Sequence, residues 1–492
     1  MSSPIRSSPI DGLAIFAAAA FGLGVATLVA LARVGAPESL VRAMGPMLVF
    51  CGLATIGVGA RSAHLGSFLA ADRRVRPFYG ALSIAAAGTG LTLCLDPDLA
   101  LASDPAWFGV VAGIPISVIG FGPMLRRFGA TSVSDVIATR FSRSPVRAFA
   151  ALVIWTVSTL AAFAGFQSAV QVTQALVAPD RAWAEAIVAL SLALSIVPGG
   201  LAGVVWCSAA GAGAVAIVVA VGLALGWEGA SVAVAEPPAS VAAASLLPSL
   251  DWLAAFVAAP LALGVFFVFE PAAIASANAR QAAKAGLIGA LMCLALAIAA
   301  ISEASPFRLS AIADASNVVQ ASLVGAAALA AALALARTGL HVSSRAPGIA
   351  LADPPRPFPT LASVQLARMR GGQLLALAAC AAFGRSGFLD PRTAAILALA
   401  LSLAAIAPLV VLAGVRRVGA VAVCAAALAA AAVAFDRIQI IAQALLTPAI
   451  LKEALLLAAA AIGAGLAVCL VAPRREEAPT PGDFDPFADV SA

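Results

Sequence analysis

The chain is expected to be an all-α polytopic membrane protein. Three observations predict this. Hydrophobic residues make up 62% of the 492 residues and charged residues only 11%, whereas water-soluble domains carry about 25% charge. Mean hydropathy is +1.03. Apolar runs near the ~20-residue length that crosses a bilayer recur from end to end, without the period-two alternation of a membrane β-barrel.

Taken in order by length and flanking charge, about 14 spans are expected. They start near Leu13, Met44, Phe78, Ala106, Val146, Trp183, Leu201, Trp252, Ala283, Gln320, Gly372, Arg392, Ala420 and Leu451. The first lacks a compact basic start and is followed closely by a second, so it reads as a retained span rather than a cleaved leader. Basic residues collect on one side: Arg61, Arg73, Arg74 and Arg76; Arg126, Arg127, Arg140, Arg143 and Arg147; Arg280 and Lys284; Arg345, Arg356, Arg368 and Arg370; Arg416 and Arg417; Arg474 and Arg475. Asp96, Asp98, Asp104, Glu228 and Glu236 collect on the other. The positive-inside rule then places both termini in the cytoplasm, as an even span count requires. The expected location is a bacterial inner (cytoplasmic) membrane. Trp107, Trp183, Trp227 and Trp252 fall at span ends on the outer face, as interfacial tryptophans do.

The net charge of +5 follows from these basic loops and is not read as nucleic-acid affinity. The seven cysteines lie in or beside apolar spans without C-x-x-C spacing and read as small buried hydrophobes. With only His64 and His341 available, a histidine metal centre is not expected, and no cofactor is. No hydrolase, kinase or nucleotide-binding motif is visible, so an enzyme is not expected.

Two spans are weak in their interiors. One carries Gly88-Thr89-Gly90 within "ALSIAAAGTG"; the other carries Pro260 to Gly264, "PLALG". Five spans separate the start of one from the start of the other, and breaks at matching positions of two halves point to a transporter's central site. Unwound backbone persists in a membrane only where it lines a cavity or meets a ligand. The alternative is that these residues ease helix packing.

Several stretches resemble the sodium:solute symporter family. "SFLAADRRVRPFYGALSIAAAG" is similar to the segment that leads into the family's first broken helix. "LRRFGATSVSDVIATRFSRSPVRAFAAL", Leu125 to Leu152, is the most specific match. "VPGGLAGVVWCSAAGAGAV" resembles the entry to the fifth core helix, and "LDWLAAF…FEPAAIASANARQAAKAG" resembles the acetate/monocarboxylate branch. The resemblance covers roughly Gly66 to Arg417. It implies a LeuT-like fold of two inverted five-helix repeats, at 78–227 and 251–415. An extracytoplasmic loop would lie at 228–250, peripheral helices and a cytoplasmic loop at 1–77, peripheral helices at 416–472, and a disordered cytoplasmic tail at 473–492.

The family's ion ligands are not matched. Where the acetate branch has an aspartate and then a serine in the first broken helix, the aligned residues are Ala87 and Gly90, leaving Thr89 and Thr92 as side-chain oxygens. The hydroxyl pair of the eighth core helix falls near Leu333 and Ala334. After Trp206 the fifth core helix reads Cys207, Ser208, Ala209, Ala210 and Gly211. In the third, Gly165 stands where the branch has glutamine. Sodium needs oxygen ligands, so coupling to it at this place is not expected.

Arg337 lies four residues after Leu333, on the same helix face, with its Cα–Cβ bond leaning back toward the level of the lost hydroxyls. One reading makes it a fixed cation standing where sodium stands in relatives. The other has it snorkel to the cytoplasmic surface. Glu270 either pairs with Arg337, carries a proton, or sits at the interface, where Pro271 and Asn278 suggest the helix is ending. Gln167 and Gln171 share a face and either line the cavity or bond helices together. His341, one turn beyond Arg337, reads as structural, and Asp135 and Arg140 fit a surface helix.

The expected function is secondary active transport of a small organic solute, such as a monocarboxylate, without the usual sodium site. Ala87, Gly88, Thr89, Gly90, Gln167, Gln171, Pro260 and Gly264 would contact substrate; Arg337, Leu333, Ala334 and Glu270 would mark the replaced ion site. The partners expected are the solute and membrane lipid. The other reading, from a different class, is a transport-inactive homologue serving as a sensor, scaffold or partner subunit.

Overall fold

A computed structural model describes residues 9–95, 113–127, 144–224, 261–262, 266–301, 317–350, 362–387 and 389–407. The spans expected near Ala420 and Leu451, the residues Pro260 and Gly264, Asp135 and Arg140, and the C-terminal tail lie outside them.

The described residues are helical, apart from short connections. In chain order the helices are α1 (Pro9–Val34), α2 (Glu38–Gly59), α3 (Leu65–Ala70), α4 (Pro77–Leu95), α5 (Gly122–Arg127), α6 (Ser144–Leu176), α7 (Arg181–Ile196), α8 (Leu201–Ala224), α9 (Glu270–Ile274), α10 (Ala279–Ile301), α11 (Val318–Ala350), α12 (Ala362–Ser386) and α13 (Pro391–Leu401). Wide π-type turns lead into α5 at Ile116–Phe121 and follow α13 at Ser402–Ile406. Six helices among the described residues are long and apolar enough to cross a membrane. Two helices start well before the apolar run does. α2 begins at Glu38 and α12 at Ala362, with first turns that are largely exposed. Arg368 and Arg370, expected in a loop, therefore lie on α12.

Helix ends follow local chemistry. Asp180 caps α7 by accepting from the Ala182 N–H at 3.0 Å, and Asp390 caps α13 through the Thr393 N–H at 3.0 Å. Pro391 follows at the first turn, where a missing N–H is harmless.

The core is centred on α11, which packs against α6, α8, α4 and α2. Small residues make this possible. A Cβ added to Gly165 of α6 would lie 2.6 Å from the Ala332 carbonyl oxygen and 2.7 Å from the Ala336 nitrogen. On the other side of the crossing, one added to Gly339 would lie 2.7 Å from the Ala162 nitrogen. Gly45 of α2 donates its N–H to Ser322 Oγ at 3.0 Å. In lipid, where apolar side chains gain little by meeting each other, such close backbone approach supplies the packing energy. A second group forms around α4, α5, α9 and α10. Near the start of α4 it is pinned by a bridge between Val75 and Ser276, with the Val75 N–H on the Ala275 carbonyl at 3.2 Å.

Candidate functional site

The first expected break is not there. α4 runs as α-helix through Gly88, Thr89 and Gly90. The glycines serve packing. A Cβ on Gly88 would lie 2.8 Å from Ile114 and 2.9 Å from Cys293 of α10, and one on Gly90 would collide with the Ala331 carbonyl of α11. Thr89 and Thr92 turn their hydroxyls back onto their own helix, donating to the Ala85 carbonyl at 2.8 Å and the Thr89 carbonyl at 2.7 Å. Ala87 is buried, and so are Leu333 and Ala334. Ala334 meets Ala86 of α4 and Ala212 of α8 in a small cluster.

Around the second expected break, the chain is non-helical at Phe266 (φ −87°, ψ 94°). It then makes one 3₁₀ turn, Phe267–Phe269, before α9. Glu270 is the first residue of α9, where the helix dipole favours a carboxylate. It is buried and lines a cavity of about 10 Å³ with Ser117, Gly122, Phe267 and Ala273, room for about one water. The expected pair between Glu270 and Arg337 does not form.

Arg337 is fully buried, at 0% exposure. Among the described residues, none of Nε, Nη1 and Nη2 meets an acceptor in hydrogen-bond geometry. Snorkelling is ruled out: α11 continues to Ala350, and the side chain does not reach the surface. Its neighbour is the Cys207 thiol of α8, which itself points at the Leu53 carbonyl of α2, 3.4 Å away. The next residue, Ser208, is also fully buried, with its Oγ unpartnered. The fifth and eighth core helices thus bring uncommitted polar atoms to the level where the resemblance loses its hydroxyls. Tyr79 of α4 packs on Trp206 of α8 with ring centroids 4.3 Å apart.

The two glutamines part company. Gln171 is exposed and lines no core cavity. Gln167 is buried, and its Oε1 accepts from Arg181 at 3.2 Å. Arg181 also donates to the Gly384 carbonyl. Glu185 completes this knot, accepting from Arg181 at 3.0 Å and Arg385 at 2.9 Å. Gln167 therefore ties α6, α7 and α12 together; the i, i+4 spacing of Arg181 and Glu185 was the sequence signal for it.

One turn further along α11, His341 belongs to a second cluster whose partners on α3 and α12 sequence reasoning missed. His341 is fully buried, and its Nδ1 lies 3.4 Å from Gln373 Nε2 of α12. Its ring centroid is 6.3 Å from that of Phe68. The Arg370 guanidinium sits 5.7 Å from the Phe68 centroid. It donates to the carbonyls of Ser62 at 2.8 Å, Val197 at 3.1 Å and Pro198 at 3.4 Å. Gly200, at φ +56°, leaves no room for a side chain beside Phe68. Phe68 is thereby wedged between α11, α12 and the α7–α8 turn. Three residues on, Ala71, Asp72 and Arg73 all have φ between 50° and 54°. Left-handed backbone costs a non-glycine residue roughly 1–2 kcal/mol. This strained stretch joins the wedge at Phe68 to the bridge at Val75.

The model of the sodium:solute symporter family matches residues 68–235. The structure is similar to that of a Na+-coupled sialic acid symporter in a substrate-bound outward-open state. The TM-score is 0.71 at 13% identity, covering 89% of this chain and 99% of that one. It is also similar to Mhp1, a nucleobase-cation-symport-1 family transporter in a closed conformation with bromovinylhydantoin bound, with a TM-score of 0.54 at 13% identity, covering 85% of this chain and 97% of that one. Curated proteins include no significant match. At such identity the likeness is one of architecture, and it fixes the fold: this chain is a multi-pass helical membrane protein with the LeuT-like fold of these structures.

Proposed function

We propose that this protein is a secondary active transporter of a small organic anion, with a monocarboxylate the class favoured by the sequence resemblance. It would work in a bacterial inner membrane with both termini cytoplasmic. The observation that carries the reading is Arg337, a guanidinium buried at 0% exposure with no hydrogen-bond partner. Ionisable residues inside a membrane bundle are costly to keep and mark pathways and counter-charges. A fixed cation at this level supplies the positive charge that a bound sodium would supply, so coupling runs through protons or exchange. Alternating access would move the group around α4, α5, α9 and α10 against the group around α6 and α11. Gly88 to Gly90, helical here, would contribute close packing that must part in the open state rather than unwound backbone. Ala87 and Thr89 would face the solute once it does, and Pro260 and Gly264 would do so from the second half.

The packing of the centre favours a second reading. Gly88 and Gly90 are filled in by Ile114, Cys293 and Ala331, and Ala87 is buried, as a transport-inactive sensor or scaffold would permit. Uptake of radiolabelled acetate and pyruvate into proteoliposomes, under separate sodium and proton gradients, separates the two. Proton-driven or exchange uptake that is lost in Arg337→Ala supports the first reading. Sodium-driven uptake overturns the fixed-cation role, and no uptake under any gradient or counter-anion supports the second.

A further inference from the structure

Arg337 does not stand alone. His341 and Arg345 follow it at four-residue steps, which keeps all three on one side of α11 over about 12 Å. Their exposures are 0%, 0% and 1%. Residues four apart on a helix have Cβ atoms about 5–6 Å apart, which makes Arg345 the next neighbour of His341 on this side. The Gln373 amide faces His341 Nδ1. If it donates, the ring proton sits on Nε2, and Nε2 has no partner. So a donor with nothing to donate to lies one turn below a guanidinium in the same condition. The other elements packed against this stretch bring an aromatic ring (Phe68), an amide (Gln373) and a third guanidinium (Arg370).

We infer that Arg337, His341 and Arg345 form a ladder of stations for a small carboxylate anion, leading from the centre of the bundle to its cytoplasmic end. The inference rests on the transport reading for its direction, but not for its chemistry. Arg337 is the upper station. His341 Nε2–H and the Arg345 guanidinium make the lower one, where a carboxylate would accept from both. Charge-assisted bonds of this kind are stronger than neutral ones, and two stations close together let an anion pass without being trapped at either. In the present conformation Phe68 and Arg370 close the lower end.

The test uses the fact that the chain has two histidines, His64 and His341. Full-length protein labelled with ¹⁵N-histidine is placed in lipid nanodiscs and titrated with choline acetate at constant ionic strength. His64→Gln identifies the His341 ring signals. The expected result is a saturable movement of the His341 Nε2 signal, at least fivefold smaller in Arg345→Gln and restored in Arg345→Lys. The lysine variant also guards against a fold lost with the arginine. A silent His341 signal, or the same response in Arg345→Gln as in the wild type, overturns the ladder. Proteoliposome uptake is scored separately. A moving signal without uptake keeps the anion site and removes the transport reading; uptake with a silent signal does the reverse.

Discussion

Replacing Arg337 by methionine should make the protein more stable and abolish its transport. The guanidinium is at 0% exposure, and three nitrogens lack partners. Insertion scales put an arginine at the centre of a membrane helix at about 2.5–3.5 kcal/mol unfavourable, and an unsatisfied buried polar group at about 1–3 kcal/mol. These describe overlapping parts of one penalty, so the larger range is the estimate for the whole. Methionine is unbranched and close to arginine in helix propensity, so α11 itself is not perturbed. It also fills most of the same space beside Cys207. The expected gain is about 2.5–3.5 kcal/mol, seen as a rise of a few degrees in the thermal unfolding midpoint of nanodisc protein followed by tryptophan fluorescence. Uptake in the same preparation should fall to background. Such an exchange of stability for function is the signature of a residue kept for its chemistry. A loss of stability of similar size would refute the reasoning, since it would mean that the guanidinium holds the fold through bonds the geometry does not contain.

Three further outcomes follow from the same geometry. Gly90→Leu should be strongly destabilising, because its Cβ meets the Ala331 carbonyl of α11 and overpacking of this kind costs about 1–3 kcal/mol or more. An unchanged midpoint would show that α4 does not lie on α11 there. Phe68→Ala should open the lower end of α11, so that a cysteine placed by Ser344→Cys, beside His341, in a background without the native cysteines reacts with a membrane-impermeant maleimide added at that end at least tenfold faster; equal rates would remove Phe68 as the closure. Glu185→Gln breaks two ion pairs, but Arg181 and Arg385 have side chains 46% and 71% exposed. Pairs that wet are worth about 0–1 kcal/mol each. The loss should therefore stay below about 2 kcal/mol and shrink in high salt.

The architecture was legible because membrane helices must satisfy their own backbone, and that demand writes itself as long apolar runs flanked by charge. The break at Gly88 to Gly90 was misread for a physical reason. A glycine that unwinds a helix and a glycine that admits a neighbouring carbonyl look alike in sequence; only the position of Ala331 decides. Gln167 and Gln171 show the same limit, since one turn of α6 separates a residue held by Arg181 from one facing out. Glu270 could not be placed because its neighbours come from Ser117 and Gly122, about 150 residues away. Arg337 was recognisable from its place on α11, whereas the wedge at Phe68 depends on α3, α12 and the α7–α8 turn meeting.

The same residues bear on which sign of charge the proposed site would accept. Sodium would need several oxygens turned toward one point. Thr89, Thr92 and Thr338 direct their hydroxyl protons to carbonyls of their own helices and keep oxygen lone pairs, but at Leu333 and Ala334 there is no side-chain oxygen at all. A sodium ion beside the Arg337 guanidinium would also meet like-charge repulsion, which is little screened in a buried site. For an anion the same term changes sign, and the donors on Arg337, Ser208 and His341 are without partners. On the transport reading, donors left over beside a buried cation favour a negatively charged solute over sodium.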